Sequence, residues 1–589
     1  MIFCPRYVML SKRERGIEYM NYETVNFSLF LKGNKLNFIL GILFSVLKVI
    51  INIYFAFLME RVMNFALSDS LSSFSNILII SLLTLMLFAI SIFLKTRFRS
   101  KFSCVAMSNY KNKLYESIIN KDLSSFRKRK VGNYLSTIMN DTTIIELDYL
   151  DNIFELPEQL FLLVCSLIAM VYTNFYFFII ILLSSSISVI STTIYGNKVK
   201  RREEKISEEN GKFLATVKDL LSGFTVIKSF NTEKETLDLY ISKNNSLEFH
   251  KLKKKYILGW IVTASESAGI FLFIVVFMVG SIFTVKGLME IGTVVAFVQL
   301  INYLVDPIAK LPQIYNKINA AKSLIKKANG IISEDKIDEC EKVALQSFER
   351  EITYKNVSFL YDNQRALHNI NIEFEKGKSY AIVGVSGSGK STLLKLLMGY
   401  YNTFTGSIKI DDVDISKLEG KSLCDIISII EQEVFIFDDD IQANVTMHKE
   451  FEQSKIDYAL KASGLEKLIT EKGTDYKCGE NGMRLSGGER QRIAIARCLL
   501  KNTQIILMDE AMSALDNKTA IQIEDEILKI KNLTKIIVTH KLSSKLLEKY
   551  DEIITLRDGV IVEKGSFAEL MNKKGCFYSI YNISPDIKA

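Results

Sequence analysis

Six apolar blocks, each near the length that a bilayer demands, constrain the first half of this chain more than any other feature. They lie at residues 37–59, 76–94, 156–173, 175–195, 257–283 and 291–311. A helix needs about 20 mostly apolar residues to cross a hydrocarbon core of about 30 Å. The third and fourth blocks nearly fuse, with Thr173 and Asn174 as a tight turn; Gln299, Asn302 and Asp306 interrupt the sixth. Six blocks in series predict a membrane domain of six helices rather than buried helices of a soluble protein.

The basic residues set the sidedness. Lys95, Arg97, Arg99, Lys101, Lys111, Lys113, Lys121, Arg127, Lys128, Arg129 and Lys130 lie between spans two and three. Lys198, Lys200, Arg201, Arg202, Lys205, Lys251, Lys253, Lys254 and Lys255 lie between spans four and five, whereas the other three connections hold only Arg61 and Lys286. Basic loops stay on the cytoplasmic side, so both termini and both long loops are expected there. The cluster 127–130 reads as a solvated or headgroup-facing loop, and the net charge of +8 over 589 residues gives no reason to expect a nucleic-acid partner.

Beyond the spans, 331–348 is short and polar and reads as a linker, and 349–585 has the alternating strand and helix pattern of an α/β domain, with strands at 379–383, 505–508, 535–538 and 553–556. Residues 1–36 read as an N-terminal cytosolic segment, with no apolar core for a cleaved signal, and 37–330 as the membrane domain. The expected fold class is a multi-domain membrane protein: an all-α six-helix transmembrane domain followed by a cytosolic α/β domain. The eight cysteines are scattered without a C-x-x-C pair, which argues against a zinc site and a disulfide framework.

The strongest chemical signal is Gly384-Val385-Ser386-Gly387-Ser388-Gly389-Lys390-Ser391, followed by Thr392. It matches G-x-x-x-x-G-K-[ST] and sits between a strand and a helix, the context in which backbone N–H groups wrap a polyphosphate. Lys390 is placed to reach the β- and γ-phosphates and Ser391 to ligate Mg²⁺. The apolar run 505–508 ends in Asp509 and Glu510. Asp509 is expected in the Mg²⁺ shell, and Glu510 beside the attacking water.

With these pieces the chain resembles the ATP-binding cassette exporters, as a half-transporter with six spans and one nucleotide-binding domain. Leu485-Ser486-Gly487-Gly488-Glu489-Arg490-Gln491-Arg492 is close to the family's LSGGQ-x-QR signature. Tyr361 matches the aromatic that stacks adenine, Gln432 the Q-loop, Ser513-Ala514-Leu515-Asp516 the D-loop and His540 the switch histidine. Gly132-Asn133-Tyr134-Leu135 with Asn140-Asp141 is similar to the first intracellular loop; Gly223 to Asn231 with Glu233 is similar to the second. The resemblance runs from about Leu36 to Ile580.

The resemblance implies a dimer in which Ser486, Gly487, Gly488 and Glu489 of one copy meet ATP held on Lys390 of the other. Gln432 is then a third Mg²⁺ contact, and Lys390, Asp509, Glu510 and His540 form the catalytic set. ATP and Mg²⁺ are the implied cofactors, and a second half-transporter the implied partner, a homodimer more readily than a heterodimer. The implied activity is ATP-driven export of an amphipathic drug, lipid or mature peptide across the cell membrane. An ATP-gated channel or regulator on the same scaffold is the alternative. Two positions depart from the pattern: Glu489 replaces the usual Gln, and Met512 stands where Thr or Pro is usual. Within the spans, Lys48, Glu266 and Asp306 are costly charges that face a cavity, unless Lys48 and Glu266 pair structurally or Lys48 snorkels; Pro307 is expected to kink span six. Apolar and Ser-rich walls at 175–178 and 184–188 suit amphipathic cargo or lipid contact. With about 36 residues before span one, and His250, His368, His448 and His540 all later, no leader-trimming peptidase domain is expected.

Overall fold

The computed structural model describes residues 27–66, 74–333, 342–361 and 364–583, the side chains of 182, 184–197, 200, 265 and 309 excepted. The chain divides into two compact units: Met1–Tyr115 with Leu135–Ile331, and Glu116–Tyr134 with Ile332–Ala589.

The first unit is helical. Its long elements are α1 (Lys35–Ala66), α2 (Phe74–Ile119), α3 (Asp151–Thr173), α4 (Phe175–Ser222), α5 (Glu233–Val285) and α6 (Ile291–Ser333). Among the described residues, Lys35–Ala66, Phe74–Ile119, Val131–Thr173, Glu233–Val285 and Ile291–Ile332 are long and apolar enough to cross a membrane. The fourth expected span, 175–195, forms the first part of α4, but most of its side chains, including the Ser-rich wall, lie outside the described residues. The protein is a multi-pass membrane protein with an all-α transmembrane domain.

At 46, 48 and 53 residues, α2, α4 and α5 exceed any bilayer, so each continues well beyond it. The tight turn between α3 and α4 forms because Asn174 caps α4, its side chain accepting from the Phe177 N–H at 3.0 Å. The helix α6 runs through Pro307 and Pro312 as a single helix. An aromatic core joins α4, α5 and α6, with Phe177 edge-on to Phe297 at 4.7 Å and packed near Phe283 at 5.7 Å.

The intramembrane charges are arranged differently from the expectation. Lys48 does not pair with Glu266; its Nζ lies 2.9 Å from Glu158, whose second oxygen meets Lys95. A single buried carboxylate on α3 thus ties α1 to α2. The neighbouring Arg99 continues this clasp to Asp151 at 3.2 Å. Glu158 lies inside the third apolar block beside Gln159, and nothing local in α3 marks it as the partner of a residue 110 positions away. Asp306 pairs with Lys310 one turn along at 2.6 Å, and Glu266 is exposed on the single chain.

The second unit is the α/β domain. Its strands are β1 (Glu351–Tyr361), β2 (Gln364–Glu375), β3 (Ser379–Gly384), β4 (Thr405–Ile410), β5 (Val413–Asp414), β6 (Ile427–Ile430), β7 (Ile505–Asp509), β8 (Thr534–Val538), β9 (Glu552–Arg557) and β10 (Val560–Gly565). They form an antiparallel sheet in the order β2-β1-β4-β5 and a six-stranded sheet in the order β10-β9-β3-β8-β7-β6, parallel except where β10 meets β9. Buried throughout, β3, β7 and β8 read as continuous apolar runs because helices cover both faces. Their carboxyl ends, where ligands of open parallel sheets bind, align Ile382, Val538 and Asp509, with Gly384 two residues beyond Ile382.

The segment 116–134 belongs to this unit. Leu123 packs on the core of the α/β domain, Asn402 Nδ2 donates to Ser124 Oγ at 3.0 Å, and Asp122 meets Lys342. The Arg127 guanidinium lies 4.6 Å above the Tyr400 ring. Arg127 is still exposed; charge patterning gives the loop's polarity but not the aromatic surface it stacks on.

Candidate active site

The phosphate loop is set by β3 and by the helix α7 (Lys390–Leu397). Two glycines in it have positive φ, Gly387 at 79° and Gly389 at 99°. At Gly389 a Cβ would also approach the Ala366 carbonyl oxygen to 2.7 Å, so backbone conformation and space both require glycine there. The Ser388 hydroxyl is buried and has no hydrogen-bond partner among the described residues, an orphan polar atom aimed within a loop built for anions. Lys390 is 4% exposed; its ammonium donates to the carbonyls of Gly384 at 3.1 Å and Val385 at 3.0 Å. Burial pulls its pKa below the ordinary lysine value, against the pull of Glu510 and Asp509.

Ser391 Oγ donates to Asp509 Oδ1 at 2.7 Å. Asp509 ends β7 and is buried, and this burial raises its pKa above the usual carboxylate value. Glu510 follows with φ of 51°, a left-handed conformation unusual for glutamate, its N–H donating to Val538 O at 3.1 Å. That turn lifts its carboxylate off the strand and into contact with two other predicted site residues. His540 Nε2 lies 2.8 Å from Glu510 Oε1, and Gln432 Nε2 donates to Oε2 at 3.2 Å. Gln432 therefore joins the Glu510 cluster rather than the Ser391–Asp509 pair. A cavity of about 610 Å³ opens beside this cluster, lined by Val385, Ser386, Glu510, Ser513 and His540 among others.

Tyr361, at the end of β1, is partly exposed, edge-on to Phe359 at 4.7 Å and to Tyr401 at 5.4 Å, and its hydroxyl is 3.4 Å from Thr392 Oγ1. It thus stands at the far end of the phosphate loop from Glu510.

The signature forms the start of α8 (Gly487–Lys501). Ser486 is the N-cap of a complete capping box: its Oγ accepts from the Glu489 N–H at 3.2 Å, and Glu489 Oε2 accepts from the Ser486 N–H at 2.7 Å. The unusual Glu489 is thereby explained locally, since Glu and Gln serve equally at the third helical position of such a box. Met512, the other departure, is buried in the core between the central sheet and α9 (Asn517–Lys529). Asp516 caps α9, accepting from the Thr519 N–H at 2.9 Å. Among the described contacts, no hydrogen bond or ion pair joins Ser486–Glu489 to the phosphate loop.

Three residues make connections that motif reading does not assign. Gln491 is buried and holds the D-loop, donating to Ser513 Oγ at 3.1 Å and accepting from the Ala514 N–H at 3.0 Å. Lys541, beside the switch position, donates to Leu515 O at 2.7 Å. Arg497 on α8 donates to Phe435 O at 2.7 Å and to Asn444 Oδ1 at 2.6 Å, tying the signature helix to the segment after Gln432. Gln491 lies within the signature string and Lys541 beside His540, so adjacency to a motif is the one signal that points to either.

Residues 38–308 match the family model of the ABC transporter transmembrane region, and residues 367–513 match that of the ABC transporter. The chain is 29% identical to an ATP-dependent lipid A-core flippase of Syntrophus aciditrophicus over 81% of this chain and 80% of that one. It is 28% identical to a protein of the same description from Wigglesworthia glossinidia brevipalpis over 93% and 96%. In fold it is similar to a bacterial Atm1-family ABC exporter solved with ATP bound, with a TM-score of 0.81 and 24% identity over 94% of this chain and 99% of that one.

Proposed function

We propose, since this chain belongs to the ATP-binding cassette transporter family as an exporter half-transporter whose ATPase is coupled to transport, that two copies pair and drive a lipid-like amphiphile out of the cytoplasmic leaflet. Both termini and the nucleotide domain lie in the cytoplasm, in keeping with the basic excess of the two long loops. A homodimer is the simplest pairing, as each copy supplies one of every half-site.

In this reading Tyr361 stacks on adenine, the backbone of 384–389 with Ser388 and Thr392 wraps the phosphates, and Lys390 turns from the two carbonyls to the β- and γ-phosphates. The residues fit Mg²⁺: Ser391 and Asp509 present two oxygens 2.7 Å apart, and Gln432 can swing from Glu510 to a third position. Bound there, the ion would neutralise phosphate charge. Glu510 orients the attacking water and accepts its proton, while His540 fixes the Glu510 carboxylate and contacts the γ-phosphate. Ser486, Gly487, Gly488 and Glu489 come from the other copy, and Asp516 shapes the D-loop between the two sites. Loss of the γ-phosphate removes contacts that exist only in the closed pair, so hydrolysis reopens it.

The observation that carries the ATPase reading is the convergence of His540 and Gln432 on Glu510 beside the phosphate loop. The lipid-like cargo is supported by the description of the two relatives and by a cavity of about 350 Å³ between α1 and α2, closed by Tyr303. Its wall is mostly apolar: apart from Asn52, its polar members are engaged, as Ser81 and Thr84 donate to their own helix carbonyls at 2.8 Å and the Tyr303 hydroxyl accepts from Gln299 at 2.9 Å. An acyl chain fits such a wall better than a charged group. Reconstituted vesicles test the reading: movement of a fluorescent phospholipid between leaflets should require ATP and vanish in Glu510→Gln. ATP-dependent ion current without lipid movement would favour the channel alternative.

A further inference from the structure

The signature of this chain carries a carboxylate where the motif usually has a neutral amide, and a second residue answers it. Glu489 Oε1 lies 3.4 Å from Lys472 Nζ, at the end of the helix Glu466–Lys472, while its other oxygen caps the Ser486 N–H. Both side chains are mostly covered, at 30% exposure for Lys472 and 17% for Glu489. The Tyr476 ring, 4.9 Å from the ammonium, gives Lys472 a second hold. Partial burial pushes the Glu489 pKa up, but hydrogen bonds from Ser486 and Lys472 outweigh it and hold the group below its ordinary value. Glu489 is therefore ionised at neutral pH, at the N-terminal end of a helix whose free N–H groups favour an anion.

We propose that Lys472 is a positioning residue for hydrolysis: it neutralises Glu489 so that the signature can approach the triphosphate bound to the other copy. The inference rests on the proposed pairing of signature and phosphate loop across two copies. Without the ammonium, a fixed negative charge one helical turn from Ser486 repels the γ-phosphate, and closure requires more ATP. A helix-terminal lysine could instead serve only its own helix dipole, and the two roles respond differently to the state of Glu489.

The test is steady-state ATP hydrolysis by the full-length protein in lipid nanodiscs, comparing wild type, Lys472→Met, Glu489→Gln, the double variant and Ser486→Ala. Lys472→Met should raise the KM for ATP about 3- to 10-fold, more steeply at low salt. Glu489→Gln keeps the capping box, should lower KM below wild type, and should cancel the Lys472→Met defect in the double variant to within about twofold. A double variant as impaired as Lys472→Met alone, or no change in Lys472→Met while Ser486→Ala raises KM, overturns the inference and leaves the pairing intact. If neither Lys472→Met nor Ser486→Ala moves KM, the pairing of signature with nucleotide fails as well.

Discussion

His540 Nε2 and Glu510 Oε1 lie 2.8 Å apart, although 30 residues and a complete strand separate them in sequence. The contact depends on the left-handed backbone of Glu510, which turns the carboxylate from the end of β7 toward the end of β8. Replacing Glu510 by Gln preserves the size of the side chain and removes the proposed base. Hydrolysis should fall by about 10²- to 10⁴-fold, with ATP binding retained. His540→Ala should lower turnover about 10- to 100-fold by freeing the carboxylate. Phosphate release and nucleotide binding, measured on the same preparations, separate the two effects.

Gly389 is expected to tolerate no side chain. Gly389→Ala places a Cβ at φ of 99° and against the Ala366 carbonyl, which should destabilise the loop by roughly 1–3 kcal/mol. Nucleotide binding should weaken accordingly, measured by titration with a fluorescent ATP analogue.

Glu524 lies buried on α9, accepting from the Tyr550 hydroxyl at 2.5 Å, and burial raises its pKa from 4.5 to about 7. A carboxyl that holds its proton more tightly folded than unfolded favours the folded state most below pH 4.5. That advantage is lost as pH rises from 4.5 to about 7, by roughly 3 kcal/mol in total. Glu524→Gln should therefore flatten the fall in thermal stability across this window and raise the melting temperature at pH 8. Melting curves of the full chain at pH 5 and pH 8 check the sign.

Arg127 and Tyr400 should be energetically coupled. Each single change to Ala is expected to reduce cargo-stimulated hydrolysis, with a coupling of about 0.5–2 kcal/mol in a double-mutant cycle. Additive losses would mean that the stacked pair does not transmit anything between the first loop and the nucleotide domain.

Glu158→Gln would leave Lys48 and Lys95 near each other without a carboxylate. Breaking a buried pair by removing one partner costs about 3–5 kcal/mol, so the variant should extract poorly and melt early in detergent. Lys48→Met with Glu158→Gln should recover part of the loss, as one stranded charge is then gone.

Motifs that are compact in sequence are legible from local order alone. The residues 384–391 share one loop, Asp509 and Glu510 end one strand, and 485–492 open one helix, so each group travels as a unit along the chain. Relationships that the fold makes across long separations leave no such mark. Lys48 stands out as an anomalous charge, but its partner Glu158 sits in a different apolar block, where only packing selects it over Glu266. Arg127 carries the sign of a loop beside a membrane, and the Tyr400 surface it stacks on is 273 residues away, created by the antiparallel sheet and α7. Gln432 is recognisable by type, yet its contact with Glu510 follows from β6 lying beside β7 in the parallel sheet.

The most direct test uses mixed pairs in a Glu510→Gln background, which is expected to hold ATP and turn it over only slowly. One copy carries Lys390→Ala and an intact signature; the other carries an intact phosphate loop and Gly488→Asp. If each nucleotide is gripped by the phosphate loop of one copy and the signature of the other, every mixed pair keeps one whole site and should retain about one tightly held ATP. If each chain grips its own nucleotide, both sites are broken, and retention of none would contradict the account.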